Sequence, residues 1–179
     1  MVAHSSRTVR FRVTLAAPWP EVPSLALWAV PPGRGTPDLY ALVSRASAPE
    51  FRLDLYADRA AQLYVCHQAL FVGDLLAIGF GHAVHLVPWP PGGAPPRALR
   101  LNSYFVSLHR AADAVYVASG EDVTRLSLGG EVVWTSPQLA VDGVRVELIS
   151  DQTLSGEAEH DPPGDWRPFR IRVTDGQPV

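Results

Sequence analysis

The feature that most constrains the possible folds of this chain is a strand–turn–strand pattern that recurs at a spacing of 39 residues. The segments LLAIGFGHAVHLV and AVYVASGEDVTRLSL show it best. In both, apolar residues alternate with smaller or polar ones on either side of a glycine turn, which is typical of paired strands. At a constant offset of 39, Gly81 matches Gly120 and Val84 matches Val123. The pattern predicts antiparallel hairpins with turns near Gly81, Gly120 and, further along the chain, Asp151.

An Asp-x-apolar-x-apolar opening extends this repeat over four segments, which begin at Asp38, Asp74, Asp113 and Asp142. Units of this kind near 40 residues are typical of propeller blades, small antiparallel sheets that stack to bury both faces. The hairpins of a β-sandwich or barrel recur at similar spacings, and such a fold is the alternative. Helical periodicity is nearly absent. We therefore predict an all-β fold with propeller-like blades, formed by residues 1–179 as a single domain.

Composition and charge exclude several classes of function. The chain has 179 residues and a net charge of −3, so it lacks the basic field that nucleic acid requires. No apolar run approaches the length of a membrane span, and the N-terminus has no apolar leader. We expect a cytoplasmic protein with neither nucleic acid nor membrane as a partner. All 15 basic residues are arginine, which is typical of GC-rich bacterial genomes. Cys66 stands alone, so no disulfide framework exists.

The stretch from Val141 to Val173 has the least ordinary sequence. Its strand-like runs flank an acidic-aromatic turn, EHDPPGDW, in which two prolines exclude a helix. The pattern DGV followed by GxxExDPPGxWxPF resembles a cassette that ends a set of uncharacterised bacterial proteins. The likeness covers roughly the last quarter of the chain and implies a shared fold family, with no activity attached. The matching residues are Asp142, Gly143, Val144, Gly156, Glu157, Glu159, Asp161, Pro162, Pro163, Gly164, Trp166, Pro168 and Phe169; His160 stands where an aromatic residue is expected.

Carboxylates are dense in the same stretch. Glu157 and Glu159 project from one face of a predicted strand. They could therefore act together on a substrate, as the carboxylate pair of a hydrolase does, or share a cation. The other interpretation is a solvated strand face whose acids pair with Arg167 or Arg170. We expect both glutamates to be exposed, so that reversal to Lys leaves the fold intact. The five carboxylates are Asp142, Glu157, Glu159, Asp161 and Asp165.

No spacing in the sequence predicts a cofactor or a metal. His82 and His85 are three residues apart, and on a strand such a pair points to opposite faces. Adjacent Cys66 and His67 fail as a thiol–imidazole pair for the same reason. The chain contains no P-loop, GxGxxG, GxSxG or HExxH motif. We expect no cofactor and no metal site, and no catalytic residue is assigned.

The sequence leaves two candidate functions, which belong to different classes. The favoured one is a non-catalytic protein-binding module, an inhibitor or immunity-type factor, whose protein partner contacts the acidic turn. The alternative is a hydrolase or small-ligand-binding protein that uses the carboxylates near 157–161. A solvent-facing turn favours the first, and a concave pocket that gathers the carboxylates with a His or Arg favours the second. The candidate binding residues are Glu157, Glu159, Asp161, Trp166 and Arg167.

Overall fold

The computed structural model describes residues 7–13, 21–29, 35–57 and 66–179. Every helix or strand within these ranges is a β-strand, which confirms the all-β prediction. No helix in the described ranges is long and apolar enough to cross a membrane. The chain divides into two compact units, Met1–Leu63 and Tyr64–Val179, here called the N-terminal and C-terminal units. The single-domain interpretation stays a prediction.

The N-terminal unit contains a four-stranded sheet that departs from the antiparallel repeat. Its order is β1-β3-β4-β2, in which β2 lies parallel to β4 and the other pairs are antiparallel. The β3–β4 hairpin turns at Ala46 and Ser47, which both have positive φ, at 46° and 69°. No glycine marks this turn in the sequence. The strands are β1 (Arg7–Arg12), β2 (Ser24–Trp28), β3 (Leu39–Arg45) and β4 (Ala48–Tyr56).

The C-terminal unit contains three antiparallel sheets, and each follows the last along the chain. The first sheet contains β5 (His67–Val72), β6 (Leu75–Phe80), β7 (Ala83–Pro88) and β8 (Arg97–Arg100). The second contains β9 (Phe105–Arg110), β10 (Ala114–Ser119), β11 (Val123–Ser127) and β12 (Val132–Thr135). The third contains β13 (Val144–Ile149), β14 (Thr153–Glu159) and β15 (Trp166–Arg172).

Within each of these three sheets, strands that are consecutive in sequence are also neighbours in space. This is the up-and-down order of propeller-like blades that the 39-residue offset predicts. None of the described sheets closes on itself into a barrel. The hairpins at Gly81, Gly120 and Asp151 lie where they were predicted.

The sheets of the C-terminal unit stack through two apolar cores, and the second sheet contributes to both. On β10, Val115 and Val117 lie in the core shared with the first sheet. Ala114, Tyr116 and Ala118 lie in the core shared with the third sheet. Because alternate residues of a strand point to opposite faces, the second sheet is buried on both faces. The alternation of side chains along β10 therefore supplies apolar residues to both cores.

Two hydrogen bonds also connect the first sheet to the second. The side-chain amide of Gln68, on β5, donates a hydrogen bond to the carbonyl oxygen of Leu108, on β9, at 3.1 Å. Its carbonyl oxygen accepts from the Leu108 backbone N–H at 2.8 Å. One side chain therefore satisfies both backbone groups of a residue in the neighbouring sheet.

Candidate functional site

The two faces of the third sheet differ sharply in burial and in composition. Its inner face lies in the core shared with the second sheet, through Val144, Leu154, Ala158 and Ile171, which are all fully buried. Strand alternation places a different set of side chains on the opposite face, here called the outer face. The outer face consists of Arg145, Glu147, Leu148, Thr153, Ser155, Glu157, Glu159, Trp166, Pro168, Arg170 and Arg172. It is rich in charge and has one large aromatic ring.

Arg145 contacts two other residues of the outer face, Trp166 and Glu157. Its guanidinium lies 4.5 Å from the centre of the Trp166 ring, a cation–π contact. Its Nη1 atom donates a hydrogen bond to Oε2 of Glu157 at 3.1 Å. The Trp166 ring also lies against Gly143, where a Cβ atom would come within 2.9 Å of it. The absence of a side chain at Gly143 therefore lets the ring lie close to the backbone.

Sequence reasoning missed Arg145, although it named two of its partners. The signal that could have found it is the hairpin of β13 and β14, which places Arg145 directly opposite Glu157. Opposite charges at facing positions of neighbouring strands attract each other. The contact with Trp166 depends on the third strand and has no comparable signal in the sequence.

Glu159 was expected to be exposed, and that expectation is wrong. Its side chain is only 8% exposed, and its Oε1 accepts a hydrogen bond from the backbone N–H of Gly164 at 2.6 Å. Its own backbone N–H donates to the carbonyl of Gly143, and its carbonyl accepts from Val141. The turn after β14 folds back over the carboxylate and covers it. Reversal of Glu159 to Lys would therefore disrupt the turn.

The remaining predicted residues lie in or beside this turn. Asp161 is exposed, as are the three residues after it, so the turn faces solvent. Asp165 accepts a hydrogen bond from Nε of Arg167 at 3.2 Å, and this hydrogen bond holds the pKa of Asp165 below its usual value. The pairing agrees with the interpretation that acids of the turn pair with Arg167. Alternation along β15 places Arg167 on the opposite face from Trp166.

Asp142 joins the second sheet to the segment that leads into the third. The Tyr104 hydroxyl donates to the backbone carbonyl of Asp142 at 2.7 Å and lies 3.1 Å from its carboxylate. Burial, together with the nearby Asp142 carboxylate, raises the pKa of Tyr104 to about 12. The hydroxyl therefore stays protonated and remains a donor at neutral pH. Asp142 therefore has a structural partner in Tyr104.

A shallow depression of about 540 Å³ lies on the outer face. Its lining residues include Glu147, Ser155, Pro168, Phe169 and Arg170. Glu157, Glu159 and Asp161 are not among its lining residues. The three carboxylates in the favoured set thus do not line this depression.

The side chains that commonly bind metal ions do not cluster in the part of the chain that the structure describes. There, no group of three or more His, Cys, Asp or Glu side chains has the arrangement to hold a metal ion. His85 is buried, and burial lowers its pKa to about 4. His109 Nε2 lies 2.8 Å from the Ser107 hydroxyl on the same strand.

No protein-family model matches this chain, and no curated protein matches it. The resemblance to bacterial proteins with the C-terminal cassette stays a prediction.

Proposed function

We propose that this chain is a non-catalytic bacterial protein-binding module, of the inhibitor or immunity-factor type, and that it acts in the cytoplasm. Its protein partner docks on the outer face of the third sheet. One observation carries the proposal: most of this face is open to solvent and charged, whereas Val144, Leu154, Ala158 and Ile171 on the opposite face of the same sheet are fully buried. The third sheet thus presents a free surface on a rigid support.

The residues of the outer face are of the kinds that anchor protein interfaces. Tryptophan and arginine are enriched among the residues that contribute most to binding energy. Here Arg145 lies over Trp166, so both side chains are held in place before a partner arrives. Holding the side chains in advance lowers the entropy lost on binding. The depression beside them offers a concave surface for an apolar side chain of the partner.

The charge of the third sheet supports a basic partner. Residues 141–179 contain eight carboxylates and four arginines, a net charge of −4, whereas the rest of the chain has a net charge of +1. Such a local field attracts a basic surface and raises its association rate, most strongly at low salt. At 0.15 M salt the screening length is about 8 Å, so the effect should shrink.

The hydrolase alternative has less support. Glu157 contacts Arg145 at the surface, whereas Glu159 contacts the backbone of Gly164. Each carboxylate is therefore committed to a different structural partner. A pair that works on one substrate would need both side chains to face the same reacting bond.

Charge reversal on the outer face tests the proposal. Because Glu159 is buried, we choose two exposed positions, Glu147→Lys on the outer face and Asp161→Lys in the turn that adjoins it. The matched control is Asp74→Lys with Glu131→Lys, which changes the net charge equally at exposed positions of the first and second sheets. After a partner is captured from the native host, association rates are measured across a salt series.

We expect the outer-face variant to associate at least about tenfold more slowly than wild type at low salt, with convergence at high salt. The control variant should show a much smaller change. Thermal unfolding and circular dichroism verify that both variants are folded. Equal association rates for the two variants at low salt would remove the outer face from the binding site.

A further inference from the structure

A second region of the C-terminal unit has a cavity large enough for a small molecule. A cavity of about 410 Å³ lies beside the β9–β10 turn and the β13–β14 turn, between the second and third sheets. This volume is within the range of sites that bind small organic ligands. The cavity opens at the opposite ends of β13 and β14 from the DPPG turn, so it is separate from the proposed docking face.

The cavity has a polar wall formed by neighbouring strands. Tyr116 and Arg125 face each other across β10 and β11, and both line the cavity. Arg125 uses Nη2 to donate to one oxygen of Asp113 at 2.7 Å. Its Nε is buried and has no hydrogen-bond acceptor among the described residues. A buried donor without an acceptor is costly, so the contact with Asp113 leaves the guanidinium only partly satisfied.

The Tyr116 hydroxyl adds a neutral donor to the same wall. Burial raises the pKa of Tyr116, whereas the adjacent Arg125 acts in the opposite direction. The hydroxyl is therefore protonated at neutral pH. The carboxylate of Asp113 competes for Arg125, but it is 73% exposed and can turn into solvent at little cost.

The opposite wall of the cavity has two apolar side chains beside Ser150 and Asp151. Ile149 and Val173 line it, and both pack against the core between the second and third sheets. A ligand that spans the cavity therefore meets a cationic end and an apolar end. This pairing suits a molecule with one carboxylate and a hydrocarbon body.

We propose that this cavity binds a small organic carboxylate, whose carboxylate accepts hydrogen bonds from Arg125 and Tyr116 while its hydrocarbon part lies against Ile149 and Val173. The inference is independent of the docking face, since it uses other residues. It adds a small-ligand site to a protein-binding module.

The test uses phenylacetate as the probe and phenylacetamide as its uncharged match. Both are titrated into the isotopically labelled full chain and followed by amide chemical shifts. We expect phenylacetate to shift the amides around the cavity and to bind at least about tenfold more tightly than phenylacetamide, because a charge-assisted pair is lost in the amide. Equal binding of the two, or shifts elsewhere in the chain, would overturn the proposal.

Variants assign the binding to the named residues. Arg125→Gln should weaken phenylacetate binding about tenfold or more, and Tyr116→Phe should weaken it several-fold. Tyr116→Phe removes only the hydroxyl, so it keeps the test valid if Arg125→Gln fails to fold. The matched control is Arg170→Gln, an arginine of the outer face, which should leave binding unchanged. Unchanged binding in Tyr116→Phe together with loss in Arg170→Gln would contradict the assignment.

Discussion

The second and third sheets are neighbours with the same meander order, yet they differ in how many faces they bury. Every residue of β10, in the second sheet, is buried. On β13, in the third sheet, Val144 and Val146 are buried while Arg145 and Glu147 are exposed. The sequences reflect the difference, since AVYVAS is almost wholly apolar and VRVELI alternates. A continuous apolar run thus marks a sheet with two covered faces, and an alternating run marks a sheet with one free face.

Substitutions at consecutive positions of β10 should both be severe, because its two faces lie in different cores. Tyr116→Ala should lower the free energy of unfolding by about 3–5 kcal/mol, and Val117→Ala by about 2 kcal/mol. Denaturant unfolding of each variant gives these values. A loss below about 0.5 kcal/mol, the level of ordinary surface substitutions, in either variant would mean that one face is not covered as described.

The same experiment on β14 should give one large effect and one negligible effect. Leu154 is fully buried in the core, whereas Ser155 lies on the outer face. Leu154→Ala should lower the free energy of unfolding by about 2–5 kcal/mol, and Ser155→Ala should change it by less than about 0.5 kcal/mol. Comparable losses at the two positions, again from denaturant unfolding, would show that the outer face is structurally covered.

Acid should lower the free energy of unfolding through a histidine that is buried in the C-terminal unit. His85 is buried in the first sheet, and burial lowers its pKa to about 4. In the unfolded chain its pKa is about 6.5, so between these values the unfolded state binds more protons. The stabilisation is present above about pH 6.5 and is lost as the pH falls to about 4, by up to about 3 kcal/mol.

Unfolding free energies measured from pH 7 to pH 4 check this prediction. Replacement of His85 by Gln should remove much of the acid sensitivity. An unaltered pH profile in the His85 variant would assign the acid sensitivity to other groups.

Much of the fold could be predicted from local sequence, because strand alternation and turn chemistry are local signals. Gly81 adopts a φ of 61°, which glycine tolerates best, so the turn was visible in the sequence. The Ala46–Ser47 turn has no such residue and could not be recognised. β8 has the sequence RALR and follows a proline-rich segment, so it lacks the apolar alternation of a strand. The parallel pairing of β2 with β4 depends on contacts that are distant in sequence.

The candidate site was predictable in part, for a similar reason. Alternation along β14 correctly gives Glu157 and Glu159 the same face. It does not indicate how deeply each side chain is buried, because the burial of Glu159 depends on the turn that folds over it. The contact of Arg145 with Trp166 joins strands at the two edges of the third sheet. A pattern confined to one strand or one hairpin carries no information about such a pair.

The central claim is that the outer face of the third sheet contacts a protein partner, and carboxylate labelling of the captured complex tests it most directly. Carbodiimide coupling of exposed acids, read by mass spectrometry, compares each residue in the free and bound chain. We predict that labelling of Glu147, on the outer face, and of Asp161, in the turn that adjoins it, falls several-fold in the complex, while labelling of Asp74 and Glu131 stays constant. Unchanged labelling at Glu147 and Asp161, with protection at Asp74 or Glu131 instead, would contradict the claim.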